Sequence, residues 1–184
     1  MTILAIDGGL ATCGYAVLDG VRVRELGVLV QPSDARAKKA PDRVRRARVQ
    51  GELFAKLIAR HNVCAIGAET MSFAPRGSAA GKVGIGLAWG VLVGLASAFG
   101  LPVVDVAPKQ WQRAVMGDDV AVDYDQVHAR ITGFVETQPP GVVSQLLAIP
   151  KGQRNHAIDS IGVGLYLALR QASARATPRL ENRA

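Results

Sequence analysis

Short apolar runs near the amino terminus predict three β-strands. Residues 3–7, 14–19 and 24–30 are rich in aliphatic side chains, and Gly20 lies in the brief connection between the second and third runs. Because such connections favour hairpins, we expect three antiparallel neighbours. Two later apolar runs, over residues 63–69 and 102–106, predict a fourth and a fifth strand.

Apolar residues at helical spacing predict the helices that flank these strands. One helix is expected from Asp42, a candidate cap, to about residue 62, a second over residues 124–137 and a last one from near Asn155. Residues 31–40 are polar and are interpreted as a linker. The order of elements predicts an α/β fold with a five-stranded mixed sheet, three antiparallel strands first, flanked by helices.

Residues 83–104 carry no charge, a stretch of about 22 residues that is long enough to cross a bilayer. Glycines interrupt it repeatedly, Pro102 closes it, and no second span accompanies it. We interpret the segment as a buried central helix followed by a buried strand. Gly86, Gly90 and Gly94 line one face of that helix, which would allow the sheet or a second subunit to approach closely.

Composition narrows the class of protein. The 184 residues suit one domain, predicted over residues 1–172, with a basic tail over 173–184 that we expect to be disordered. Lysine and arginine outnumber aspartate and glutamate by 22 to 15, and the net charge of +7 favours nucleic acid as a partner. Cys13 and Cys64 have no paired spacing, and the amino terminus has no signal-peptide pattern. We therefore expect a cytoplasmic protein.

Acidic residues at the ends of buried strands are the main candidates for chemistry. Asp7 and Glu69 each end an apolar strand, and Asp159 follows His156 by three residues on the first turn of the last helix. Together they could bind Mg²⁺ and support two-metal phosphodiester hydrolysis. Taken singly, each acid is also typical of a turn or of a helix start. The hypothesis therefore rests on the set.

Basic and aromatic residues are less specific. The arginines at positions 43–48 suit DNA contact and a solvated helix face equally well. Trp89, Trp111 and Tyr166 are interpreted as packing residues. His61 and His128, isolated on predicted helices, are interpreted as surface histidines rather than ligands.

The order of these motifs resembles the RuvC-type Holliday junction resolvases of the RNase H-like superfamily. Residues 6–15 look like the first-strand motif of that family, Ala68 and Glu69 like its second acid, residues 86–91 like its central helix and residues 156–160 like its last metal-binding motif. The resemblance covers nearly the whole chain and implies an RNase H-like nuclease domain.

The resemblance also implies residue roles and partners. Asp7, Glu69, His156 and Asp159 would hold two Mg²⁺ ions, for which Mn²⁺ could substitute. A homodimer would cut symmetrically opposed strands of a four-way DNA junction, and the cooperation of a branch-migration motor stays open. The predicted DNA contacts are Phe73, Arg76, Lys82, Lys109 and Arg113.

Some positions depart from the family pattern. Gly8 stands where the family usually has proline, and Phe73 follows the second acid by four residues instead of three. Gln112 and Tyr124 lie near positions where the family carries basic residues, so Lys109 or Arg113 would have to substitute for those cations.

Three alternatives accompany this interpretation. Residues 7–9 with Thr12 and Gly14 also resemble the first phosphate loop of sugar-kinase and actin-like ATPases, but those enzymes close two such domains around a nucleotide, and this chain supplies one. A related nuclease that acts on RNA or on other branched DNA would carry similar acids. A branched-DNA binding protein without catalysis is the third alternative.

Overall fold

A mixed five-stranded sheet forms the centre of the protein. We describe a computed structural model over residues 1–34, 36, 38–70, 79–117 and 123–176. The sheet order is β3-β2-β1-β4-β5. β1, β2 and β3 are antiparallel neighbours, whereas β4 pairs parallel to β1, and β5 parallel to β4, which confirms the predicted sheet. The strands are β1 (Thr2–Gly8), β2 (Thr12–Asp19), β3 (Arg22–Val30), β4 (Ala65–Glu69) and β5 (Val103–Val106).

Helices cover both faces of this sheet. They are α1 (Lys39–His61), α2 (Ala79–Phe99), α3 (Pro108–Met116), α4 (Tyr124–Glu136), α5 (Pro140–Ala148) and α6 (Arg154–Ala176), with a short 3-10 turn before α6. Alternate residues of β1 point to opposite faces, so Leu4 and Ile6 pack with α1 and α2, whereas Ile3 and Ala5 pack with α3 to α6. Each face therefore has its own apolar core.

The first helix starts earlier than predicted, and the last helix extends beyond the residue predicted to end the domain. α1 begins at Lys39, and Asp42 does not cap it but lies buried in its first turn. The carboxylate of Asp42 instead pairs with Arg45 and Arg46, three and four residues along the helix. At the other end of the chain, α6 continues past the expected boundary at residue 172 to Ala176. Residues 177–184 of the predicted tail lie outside the described part of the chain.

The uncharged helix α2 is far more exposed than its composition predicts. Among the side chains of α2 that the structure describes, over residues 81–99, only Ala88, Leu92 and Ala96, spaced four residues apart, are buried against the core. Within the described residues, the segment Gly81–Phe99 is the one helix long and apolar enough to span a membrane, and only 17% of an 18-residue stretch of it is buried. The prediction of a buried central helix is therefore wrong, because an apolar composition does not distinguish a core helix from one with an unpartnered face.

The glycine face of α2 does not contact the sheet. β-Carbons added at Gly86, Gly90 and Gly94 would meet no atom of the described chain within 4 Å. Of the two neighbours considered for this face, the sheet is thus excluded.

Candidate metal centre

Two neighbouring strands carry acidic residues to the same end of the sheet. β1 and β4 run parallel with Ile6 opposite Ala68, so the next residue of each strand, Asp7 and Glu69, stands at the same level. Apolar side chains bury both strands, and this burial specifies their register. The carboxyl ends of β1 and β4 therefore hold two carboxylates side by side.

A third acid comes from α6, which packs directly on β2. Gly14 of β2 is the strand partner of Asp7. A β-carbon at Gly14 would lie 2.0 Å from the carbonyl oxygen of His156, much closer than any real contact. Because glycine has no β-carbon, the first turn of α6 can lie against β2, and this approach brings Asp159 to the end of β1.

Asp7, Glu69 and Asp159 form a compact cluster. Each residue offers one carboxylate oxygen, and these three oxygens lie within 4.8 Å of one another. His156 is next to the cluster, since its Nδ1 lies 2.7 Å from Oδ2 of Asp7. It is not part of the set of three. An ionised carboxylate can only accept a hydrogen bond, so Nδ1–H of His156 is the donor in this contact.

Side chains from α3 and α4 contact the other two carboxylates. Nε1–H of Trp111 donates to Oε1 of Glu69 at 3.3 Å. On Asp159, the hydroxyl of Tyr124 donates to Oδ2 at 2.9 Å, and Nε2 of His128 lies 2.7 Å from Oδ1. Each acid of the cluster is thus hydrogen-bonded by at least one side chain of a surrounding helix.

The surroundings of the cluster raise the pKa values of Glu69 and His156. The pKa of Glu69 is raised to about 9, mainly by burial and further by the hydrogen bond to Asp7 and the charges of Asp7 and Asp159, while the Trp111 N–H opposes the rise. The hydrogen bond to Asp7 raises the pKa of His156 and outweighs its burial. Three converging carboxylates that resist joint ionisation fit a hard divalent cation, whose charge would offset their repulsion.

Sequence reasoning missed the role of α4. His128 was expected at the surface, but it is buried and bound to Asp159, so that prediction is wrong. The i, i+4 spacing of Tyr124 and His128 was a usable signal, since it places both rings on one helix face. His61 is also not free at the surface, because its Nε2 lies 2.8 Å from Oε2 of Glu25.

The aromatic residues expected in the core do pack there. Trp111 is fully buried, while Trp89 and Tyr166 pack, partly buried, against the two apolar clusters. Trp111 combines this packing with its hydrogen bond to Glu69, a second role that its residue type alone did not reveal.

The predicted DNA contacts fall into two groups. Phe73 and Arg76 lie outside the described residues. Lys82 on α2 and Lys109 and Arg113 on α3 are exposed. Lys109 and Arg113 are one turn apart, so they share one exposed face of α3, and each is two residues from buried Trp111.

The arginines at the start of α1 are not equivalent. Arg45 and Arg46 pair with Asp42, and Arg48 pairs with Glu52 at 2.7 Å. Arg43 forms no ion pair within the described chain and, together with Arg46, lines a cavity of about 490 Å³. The other walls of this cavity are residues 9–12, directly after β1, and residues 81, 84 and 85 of α2.

Comparison with known proteins agrees with this geometry. The model of the crossover junction endodeoxyribonuclease RuvC family matches residues 3–165. No curated protein matches the chain in sequence. Among solved structures, Thermus thermophilus RuvC in complex with a Holliday junction substrate has a TM-score of 0.70 at 16% identity, covering 94% of this chain and 96% of that one.

Two further structures support the same fold. Thermus thermophilus RuvC in another structure has a TM-score of 0.68 at 19% identity, over 95% of this chain and 97% of that chain. The yeast mitochondrial Holliday junction resolvase Ydc2 has a TM-score of 0.68 at 12% identity, over 95% and 80%. These likenesses confirm the predicted RNase H-like fold.

Proposed function

This chain belongs to the crossover junction endodeoxyribonuclease RuvC family of metal-dependent nucleases, and from this premise we propose that it resolves four-way DNA junctions by paired, symmetric nicks. The observation that carries the proposal is the meeting of Asp7, Glu69 and Asp159 at the carboxyl ends of β1 and β4. Family membership also argues against the ATPase alternative. Action on DNA requires a soluble compartment that contains nucleic acid, for which we propose the cytoplasm.

We propose Mg²⁺ as the cofactor, with two ions per site and Mn²⁺ as a substitute. Asp7, Glu69 and Asp159 would hold the ions, with His156 as a fourth ligand. When bound, such a pair activates a water molecule and offsets the charge that develops on the leaving oxygen. The residues of the chain contribute orientation, because the Trp111 N–H holds Oε1 of Glu69 at 3.3 Å.

Cations around the cluster would bind the DNA backbone. Lys82, Lys109 and Arg113 are exposed, and Phe73 and Arg76 remain predicted contacts. On α1 we propose that Arg43 contacts a phosphate, because no carboxylate of the described chain offsets its charge.

The ion-paired arginines of α1 should contribute less to DNA binding. Asp42 neutralises part of the charge of Arg45 and Arg46, and Glu52 does the same for Arg48. A phosphate would have to compete with these carboxylates for the guanidinium groups.

The exposed face of α2 supports a homodimer. α2 connects β4 to β5 and contributes Leu92 and Ala96 to the apolar cluster that also holds Phe54 of α1, so it could not enter a membrane without losing that core. Exposed Val93 and the open position at Gly90 form an apolar surface on the helix instead. A second copy of the chain would cover this surface and would supply the second active site that paired cuts require.

One experiment tests the activity against its alternatives. The protein is incubated with Mg²⁺ and a labelled four-way junction, linear duplex DNA or structured RNA, with Asp7→Asn as the inactive control. We expect paired nicks in the junction and retained junction binding by Asp7→Asn. Equal or faster cutting of RNA would overturn the DNA assignment, and junction binding without nicking under Mg²⁺ or Mn²⁺ would favour a binding protein.

A further inference from the structure

Helix α4 places two hydrogen-bonding side chains on one carboxylate of the acidic cluster. The hydroxyl of Tyr124 binds Oδ2 of Asp159 at 2.9 Å, and Nε2 of His128 binds Oδ1 at 2.7 Å. His128 and Asp159 are both buried. The two rings also contact each other, with centroids 4.0 Å apart. Both oxygens of Asp159 are therefore held by one face of α4.

The start of α4 is itself firmly anchored. The side chain of Asp123 caps the helix by accepting hydrogen bonds from the backbone N–H groups of Asp125 and Gln126. This cap fixes the first turn, which carries Tyr124. One turn further on, Val127 and Ile131 bury the same helix in the core on either side of His128. The two donors thus have little freedom to follow a moving carboxylate.

Two bonds on different oxygens determine the orientation of a carboxylate group. An ionised carboxylate has about four acceptor sites, so the two donors leave sites on Asp159 that face Asp7 and Glu69. Without them, the side chain could rotate away from the other acids, whose charges repel it. The geometry therefore favours a role in holding Asp159 ready for a cation.

We propose that Tyr124 and His128 are positioning residues that hold the Asp159 carboxylate in its cation-binding orientation. This inference rests on the proposed function, since it assigns to Asp159 the role of a metal ligand. The two residues contribute to affinity for the divalent ion through Asp159 and do not touch the ion themselves.

The test measures Mn²⁺ binding to the full-length protein by calorimetry, without DNA. His128→Leu removes one donor, and Tyr124→Phe keeps the ring but removes the other. Loss of such a supporting hydrogen bond costs 10- to 100-fold in metal affinity in other proteins, and we expect about this loss for His128→Leu and a smaller loss for Tyr124→Phe. His128→Gln, which restores an N–H donor, should recover part of the affinity.

A matched histidine provides the control. His61 makes a similar contact, 2.8 Å from Oε2 of Glu25, and it lies beside Thr2 at the start of β1, whereas Asp7 of the cluster is near the end of that strand. His61→Leu should change the melting temperature without changing the Mn²⁺ dissociation constant. If His128→Leu changes only the melting temperature as well, or if His128→Gln binds no better than His128→Leu, the positioning role is overturned. Tyr124→Phe, at a half-exposed residue, answers the question even if His128→Leu fails to fold.

The outcome separates this inference from the proposed nuclease activity. A wild-type protein that binds Mn²⁺ but cuts no junction refutes the activity, while the variants still test the positioning role. A wild-type protein that cuts junctions, with Tyr124 and His128 variants that bind Mn²⁺ normally, refutes the positioning role alone. Absence of Mn²⁺ binding by the wild type would overturn the inference together with the metal site.

Discussion

Substitution of Gly14 by alanine should damage both the fold and the metal centre, because this position controls the approach of α6 to the sheet. Gly14 pairs with Asp7 across β1 and β2. An added β-carbon would lie 2.0 Å from the carbonyl oxygen and 2.2 Å from the carbonyl carbon of His156, and 2.9 Å from the nitrogen of Ala157. All three atoms are backbone, so no side-chain rotation can relieve the clash.

The size of the effect follows from these distances. Ordinary contact begins near 3.4 Å, so the first turn of α6 must retreat from β2 by roughly 1 Å or more. Overpacking of this kind costs about 1–3 kcal/mol. For a chain of this length, that loss corresponds to a fall in melting temperature of roughly 2 to 12 °C. The same shift moves His156 and Asp159, and a misplacement of about 1 Å costs on the order of 100-fold in rate.

Thermal denaturation and junction cleavage under Mg²⁺ measure the two effects. Gly133→Ala on α4 is the matched control, since its added β-carbon meets nothing within 4 Å. We expect this control to keep full activity and to gain up to about 1 kcal/mol, because alanine is the better helix former. A Gly14→Ala protein with wild-type melting temperature and cleavage rate would refute the close packing of α6 on β2.

Three further predictions concern charge and assembly. In EDTA, the free energy of unfolding of the wild type should fall as pH rises from 4.5 towards 9, because the raised pKa of Glu69 lets the folded state hold a proton that the unfolded state releases. Glu69→Gln should flatten this pH dependence. Equal pH slopes for the wild type and Glu69→Gln would contradict the argument. Arg43→Ala should lower the slope of log affinity for the junction against log salt concentration by up to about 0.9. Arg48→Ala should lower this slope less, because Glu52 already offsets the charge of Arg48. Equal slopes for the two variants would remove Arg43 from the interface. A β-carbon at Gly90 meets nothing within 4 Å in the single chain, so Gly90→Leu should leave the fold intact but block dimer formation, giving a monomer by light scattering. A persistent dimer would show that this face of α2 is not the dimer interface.

Local patterns were sufficient to predict the strands and the acids at their ends. The alternation along β1 determines which residues enter each core, and the end of an apolar strand marks Asp7 and Glu69 for the same sheet end. Short helices were harder to recognise: α3 and α5 span 9 residues each and show too few turns for a clear periodicity.

The hydrogen-bond donors around the acids depended on tertiary structure that no local pattern encodes. Trp111 and His128 have residue types that suit a core or a surface, and only the path of α3 and α4 decides where their N–H groups point. The exposure of α2 was mispredicted for a related reason. Its apolar composition indicates that the helix needs a partner, but composition does not specify whether that partner is the same chain.

Both the stability of the fold and the geometry of the acidic cluster depend on one contact, that between α6 and β2. The two apolar cores lie on opposite faces of the sheet, and the acids stand at the carboxyl ends of β1 and β4, between these cores. Substituting an acid should therefore leave most of the packing intact. α6 is the exception, because it buries Ile161 in one core while carrying His156 and Asp159 at its start. The close approach permitted by Gly14 thus sets both the packing of this helix and the distance between Asp159 and Asp7.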